Sequence, residues 1–335
     1  MKEQVLNTKH PWLVGVVVVG IGAAYFVLLG SGQHPEPGLN LNYDVKVYEE
    51  LDRIETRYEE APPIRLVMEN PRAMAVHDGD LYVAGKNAVA VIGENHAGAR
   101  RFQITGTPNC VAVAPDGAIL LGMTEHIEIL DRDGNPQATW ASFGAHSFVT
   151  SIAAQKDSVF VADAGNRLVL RCDWQGNVLA RIGKKDAARD IPGIEAPSPY
   201  LDLAVNPDGD LWVANPGKLG LERYRENGDI VTSWYHPTLE LSGFSGCCNP
   251  TQIAFTQRGE LITCEKGLVR VKRYDVTSGE FIELIAGSKL FPRQQSVRDL
   301  AVDAAGRILV LDPKTESVRV FTEKGAGDGK TAQQT

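Results

Sequence analysis

The string in this chain with the most chemical potential is Ser245-Gly-Cys-Cys-Asn-Pro250. Two adjacent thiols bounded by Gly and Pro can pair with one another, pair with a third cysteine, hold a soft metal ion, or remain inert. Five cysteines are present: Cys110, Cys172, Cys247, Cys248 and Cys264. Cys264 aligns, in the repeat described below, with Ala84, Ala162 and Ala214, a small core position, and Cys110 and Cys172 fall at strand ends. Core packing explains those three. It does not explain Cys247 and Cys248, for which four readings stand. They are a disulfide from one of them to Cys264, a strained adjacent disulfide that is redox-active or stiffens its loop, a soft-metal site shared with Cys264, and free thiols. No C-x-x-C or His-rich partner motif accompanies them, which weakens the metal reading.

A second group of residues comes from equivalent turns. Asp163, Asn215, Glu265 and Asp312 follow the second strands of four repeat units, and Arg72, Asn109, Thr150, Thr251 and Arg298 precede first strands at the same end. A ring of carboxylates and amides suits Ca²⁺, which takes six to eight oxygens. Through Arg72, Arg298 and Lys266 the same ring suits a polar or anionic ligand. Asp163 and Asn166 also fit plain turn chemistry, in which a carboxylate caps its own backbone. Hydrolytic signatures are absent: there is no G-x-S-x-G, H-E-x-x-H or P-loop. The seven histidines show no metal-ligand spacing, although His146 and His236 fall in loops.

The elements that must position these residues repeat six times. A first apolar strand carries a central alanine at 75, 112, 153, 204, 254 and 301, so the units are spaced 37, 41, 51, 50 and 47 residues apart. Each is followed, after a polar turn such as Asp78-Gly-Asp80 or Asp208-Gly-Asp210, by a second apolar strand such as Leu81–Ala84 or Leu211–Ala214. Strand-built repeats of this length predict a β-propeller, whose blades bury their faces only against each other. The last unit has room for three strands only, 299–303, 307–312 and 317–321. A propeller must close its ring or leave an edge bare. Ile64–Met68 is therefore expected to supply the outermost strand of the last blade. Three long connections, 183–200, 234–250 and 286–297, enter the later blades on one face. Long loops on a rigid scaffold are where binding is usually found, so the mouth over blades three to six is the expected binding face.

Upstream, Trp12 to Gly30 gives 19 consecutive uncharged residues, long enough to cross a bilayer core of about 30 Å. Lys2 and Lys9 precede it and no Lys or Arg follows until Lys46, which predicts an N-terminus inside and the folded part outside. A cleaved signal peptide is the alternative, and the apolar run is longer than such peptides usually carry. Either way the folded part is extracytoplasmic, where disulfides are permitted. Val47, Leu51, Ile54 and Tyr58 form one apolar stripe, which predicts an amphipathic helix over 43–60 ended by Pro62-Pro63. The formal net charge of −8, with Lys and Arg scattered, excludes non-specific nucleic-acid binding.

The third unit reads Val161-Ala-Asp-Ala-Gly-Asn-Arg-Leu168, then Val169-Leu-Arg and the turn Asp173-Trp-Gln-Gly-Asn177. An apolar strand, Asp-x-x-Asn-x-aliphatic, then a strand ending in a Gly turn resembles the NHL repeat. The units at 201–231 and 299–321 resemble it too, and the first two lack the Asp-x-x-Asn turn. The resemblance covers about residues 64–322 and implies a binding scaffold, a ligand sensor or, occasionally, an enzyme. In outline the carboxylate ring also resembles that of propeller lactonases.

These readings combine into an all-β, six-bladed NHL-like β-propeller preceded by a transmembrane helix and a short amphipathic helix. Its expected parts are a cytoplasmic tail 1–11, an anchor 12–30, a linker with the amphipathic helix 31–62, the propeller 63–322 and a tail 323–335. The expected role is a non-enzymatic, periplasmic binding or scaffold subunit that docks an envelope or membrane protein through Arg72, Asn215, Cys247, Cys248, Glu265, Lys266 and Arg298. The alternatives are a redox-associated accessory protein using Cys247 and Cys248, and a Ca²⁺-dependent lactonase- or lyase-like enzyme using Asp163, Asn215, Glu265 and Asp312.

Overall fold

The computed structural model describes residues 51–52, 54–94, 98–291 and 297–325. The expected tail 1–11, anchor 12–30 and most of the linker lie outside them, as does the tail beyond 325. No helix among the described residues is long and apolar enough to cross a membrane.

Six four-stranded antiparallel sheets make a six-bladed β-propeller. The innermost strands are Ala73–His77, Cys110–Val113, Val149–Ala154, Leu203–Val205, Gln252–Phe255 and Asp299–Val302, and each contains one of the aligned alanines. The second strands are apolar and buried from end to end, as in Val159–Asp163 and Leu211–Asn215, because both faces of a blade pack on neighbouring blades. The outermost strands are wetter. Pro136–Thr139 is exposed at every position, as suits a sheet edge. Small residues permit the tight turns: at Gly165, inside the Asp163-x-x-Asn166 turn, a Cβ would stand 1.9 Å from the His146 carbonyl oxygen.

The ring closes as expected in kind, though further upstream than expected. Tyr58–Arg65 is the outer strand of blade six, pairing antiparallel with Ser317–Glu323 from Tyr58↔Glu323 to Arg65↔Ser317. Pro62-Pro63 thus does not end a helix. It sits where the register shifts between Ala61 and Ile64, on an edge strand whose outward N–H groups need no partner. The predicted stripe also fails over its described part. Leu51 and Ile54 are exposed, and only Tyr58 is buried, in a strand against the cluster holding Phe321 and Ile285. The contact that docks this segment is polar. The buried Asp52 carboxylate takes a hydrogen bond from Arg270 Nε at 2.8 Å and another from the Ser288 backbone N–H at 2.8 Å.

Candidate functional site

An innermost strand has one neighbour, so its other edge turns unpaired N–H and C=O groups toward the axis. Here side chains from one blade satisfy the edge of the next. Thr150 Oγ1 donates to Leu201 O at 2.6 Å, and Ser151 Oγ donates to Leu203 O at 3.3 Å. Asp202 Oδ2 accepts from Ile253 N at 2.7 Å, and Asp299 Oδ2 accepts from Met74 N at 2.7 Å. Arg72 Nη2 donates to Asn109 Oδ1 at 3.1 Å. These contacts stitch blade one to two, three to four, four to five and six to one.

They surround a cavity of ≈ 440 Å³ lined by all six innermost strands. Its inner tier holds two carboxylates. Burial pushes the Asp299 carboxyl up to about 8, aided by the Asp202 charge and opposed by the Met74 and Leu300 N–H groups. Burial pushes Asp202 up to about 6 against hydrogen bonds from Ser151 and the N–H groups of Ile253 and Leu203. The Cys110 thiol on the same wall is raised well above its ordinary value by burial and by both carboxylates. At the mouth stand Arg72 and Arg298. Burial lowers the Arg72 pKa, and so does the neighbouring Arg298 charge. Among the described residues neither guanidinium has a carboxylate partner. Other arginines among the described residues, Arg132 and Arg258 included, also lack an ion pair, but Arg72 and Arg298 are the two that line the cavity. Lys266 completes the cationic rim. Its Nζ lies 4.6 Å from the ring centroid of Tyr200, a cavity-lining residue, and 3.5 Å from Ser198 Oγ.

The residues singled out in the sequence therefore divide. Arg72 and Arg298 both line the cavity, and Lys266 lies over Tyr200, which lines it too. Asn215 and Glu265 are buried and engaged within the protein. Asn215 accepts from Glu195 N at 3.0 Å and donates to Glu222 Oε1 at 2.9 Å, and Glu265 pairs with Lys272 Nζ at 2.8 Å. The proposed calcium ligands are likewise occupied within their own blades. Asp163 accepts from Phe148 N, Asn166 N and Asn166 Nδ2, and Asp312 from Lys314 N and Thr315 N. Among the described residues no three His, Cys, Asp or Glu side chains are placed to hold a metal ion.

The disulfides expected of Cys247 or Cys248 are not formed, and all five cysteines are free thiols. Cys264 is turned into the core of blade five, against Ile262 and Val271, with its sulfur 3.7 Å from the Glu265 carbonyl oxygen. Cys247 is exposed and Cys248 is buried. Cys248 Sγ donates toward Cys247 Sγ at 3.3 Å. The neighbouring Cys248 sulfur raises the Cys247 thiol pKa, and the Lys266 charge opposes that rise.

Much of the long loop 234–250 packs down beside the mouth. Phe244 is fully buried beneath Trp234 and Tyr274, and Lys272 Nζ reaches into the loop to the carbonyls of Leu241 at 3.2 Å and Gly243 at 2.5 Å. Sequence reasoning passed over Asp202 and Asp299. Their signal was present, since a carboxylate opens an otherwise apolar inner strand where the other units place Ala73, Cys110, Ser151 and Gln252.

No protein-family model matches the chain, and no curated protein matches it. Solved structures do. A catalytically inactive histidine-to-alanine variant of virginiamycin B lyase from Staphylococcus aureus, with quinupristin, is 15% identical with a TM-score of 0.54, covering 76% of this chain and 82% of that one. The WD40 β-propeller domain of Doa1 is 13% identical with a TM-score of 0.55, covering 81% and 99%. A protein of unknown function from Bacteroides thetaiotaomicron is 10% identical with a TM-score of 0.57, covering 79% and 72%. At these identities the likeness is one of fold, shared by propellers with different roles. The NHL resemblance accordingly stands at the level of the six-bladed propeller.

Proposed function

We propose that this chain is a non-enzymatic binding propeller of NHL type. In this reading Trp12–Gly30 tethers it to the outer face of the cytoplasmic membrane, and it docks a partner in the envelope by an anionic group seated at the channel mouth. The observation that carries the reading is the pair of guanidiniums, Arg72 and Arg298, which line one cavity, near enough that the Arg298 charge adds to burial in lowering the Arg72 pKa, and matched by no carboxylate among the described residues. Two cations held together at a concave mouth are repulsive until an anion joins them. Guanidinium forks suit carboxylate or phosphate oxygens. Lys266 adds a third positive charge over Tyr200, and Asn109 and Thr150 add neutral hydrogen-bonding groups.

The reading is tested with the detergent-extracted full chain, by calorimetric titration with inorganic phosphate and with a small dicarboxylate at low ionic strength. One of the two is expected to bind. Losing a charge-assisted hydrogen bond costs about 1.5–3 kcal/mol, so Arg72→Gln and Arg298→Gln should each weaken that binding about tenfold or more. Neither change breaks an ion pair, and only Arg72→Gln gives up a hydrogen bond, the one to Asn109, so the melting temperature should change little, with the larger fall in Arg72→Gln. Equal binding by wild type and both variants would overturn the proposal.

A further inference from the structure

We propose that Cys247 and Cys248 form a dithiol–disulfide couple that exchanges with small-molecule disulfides, on a loop joined to the rim of the channel. This inference does not depend on the anion reading. Its first support is position: the two sulfurs face each other at 3.3 Å. Its second is a division of access. Cys247 is exposed, whereas Cys248 is 2% exposed and the other three thiols are buried. An incoming disulfide therefore meets Cys247 first and finds Cys248 behind it.

The third support is that the loop is built to hold this arrangement. Asn249 donates from Nδ2 to Ser245 O at 2.7 Å and to Lys266 O at 3.3 Å, accepts from Lys266 N at 2.9 Å on Oδ1, and donates from its backbone to Pro216 O at 3.2 Å. The chain on either side of the two cysteines is thereby clamped to the turn that carries Lys266. The thiolate is the form that attacks a disulfide, and the Lys266 charge offsets part of the rise that Cys248 imposes on the Cys247 thiol. Core packing, which accounts for Cys110, Cys172 and Cys264, gives no reason for an exposed thiol here.

The exchange balances as follows. Cys247 gives up its proton to solvent, and its thiolate attacks one sulfur of the incoming disulfide. A mixed disulfide forms and the first leaving thiolate takes up a proton. Cys248 then loses its proton and attacks the Cys247 sulfur, and the second leaving thiolate departs and is protonated. Two protein thiols are oxidised to one disulfide, and the small disulfide is reduced to two thiols. Neighbouring Cα atoms stand about 3.8 Å apart, below the usual span of about 4.4–6.8 Å across a disulfide, so the closed form is strained and readily reduced. Asn249 also holds the backbone of Lys266, whose ammonium lies over Tyr200 at the mouth.

The test uses the full chain, reduced, freed of reductant and exposed to glutathione disulfide at neutral pH. Remaining thiols are blocked with a maleimide, and the peptide containing both cysteines is weighed. It is expected to lose two hydrogens and escape the maleimide, and to recover both thiols on mild reduction. Cys110, Cys172 and Cys264 should stay reduced and react only after denaturation. Cys248→Ser should stop the exchange at a stable glutathione adduct on Cys247, and a Cys248→Ser protein without that adduct would count against the order of attack. If that variant does not fold, the wild-type peptide decides alone. A lasting glutathione adduct on wild-type Cys247, or two thiols left free, would overturn the couple.

Discussion

Lys272→Ala is expected to destabilise the propeller by about 3–5 kcal/mol, the cost of leaving a buried charge without its partner. Lys272 and Glu265 are 0% and 1% exposed in their side chains and pair at 2.8 Å. Burial lowers the Lys272 pKa and the Glu265 charge works against that. The same ammonium binds the Leu241 and Gly243 carbonyls and lies 4.6 Å from the Phe244 ring centroid. Its removal strands a carboxylate and frees the loop that leads to Cys247. Replacing both charges, as Lys272→Met with Glu265→Leu, should recover more than half of the loss, since apolar pairs substitute well for buried ion pairs. The two loop carbonyls remain without their donor, so recovery should stay incomplete. Urea denaturation of the single and double variants measures both effects, and a double variant no more stable than Lys272→Ala would refute the assignment.

The second large effect concerns pH. Asp299 holds its proton up to about 8 in the fold and Asp202 up to about 6, against about 3.9 for an aspartate in an unfolded chain. Between about 4 and 8 the folded state therefore binds a proton at Asp299 that the unfolded state has released, and stability must fall as pH rises through that window. The slope is at most about 1.4 kcal/mol per pH unit for each group. It should be less in practice, because both residues are only half-buried where they line the cavity. Asp299→Asn stays neutral and keeps an acceptor for the Met74 N–H. The variant should gain on the wild type as pH is raised from 5 to about 9. Melting curves for the two proteins that run parallel across this range would contradict the shift.

The propeller was legible because its signal is local and repeated. Each first strand pairs with a second strand through a short turn, and six aligned alanines report the same position six times. Ring closure was legible as a counting argument, since blade six lacked a strand. Its upstream limit was not, because Tyr58 satisfies a helical stripe as well as a strand and Pro62-Pro63 reads as a stop unless the strand is known to be an edge. The run Val269-Arg-Val-Lys-Arg-Tyr274 misleads in the other direction. Alternating charge predicts a half-exposed strand, yet Arg270, Lys272 and Arg273 are all buried. Their partners Asp52, Glu265, Glu260 and Glu283 include residues distant in sequence, which a local pattern does not reveal. At the candidate site, Arg72, Arg298 and Lys266 could be read from their alignment at strand ends. Asn215 and Glu265 aligned equally well but turn inward, because alignment fixes a residue's place on the blade without fixing its hydrogen-bond partners.

The central claim is that the cationic mouth seats an anionic group of a partner, and cross-linking in intact membranes tests it most directly. A photoreactive residue is placed at Lys266 of the full chain, and in a separate protein at Ile282, which is 40% exposed on an outermost strand. The position 266 probe should give one discrete adduct that the Ile282 probe does not, and Arg72→Glu with Arg298→Glu should abolish it in protein that melts as the wild type does. An adduct that survives this charge reversal, or that forms equally from Ile282, would contradict it.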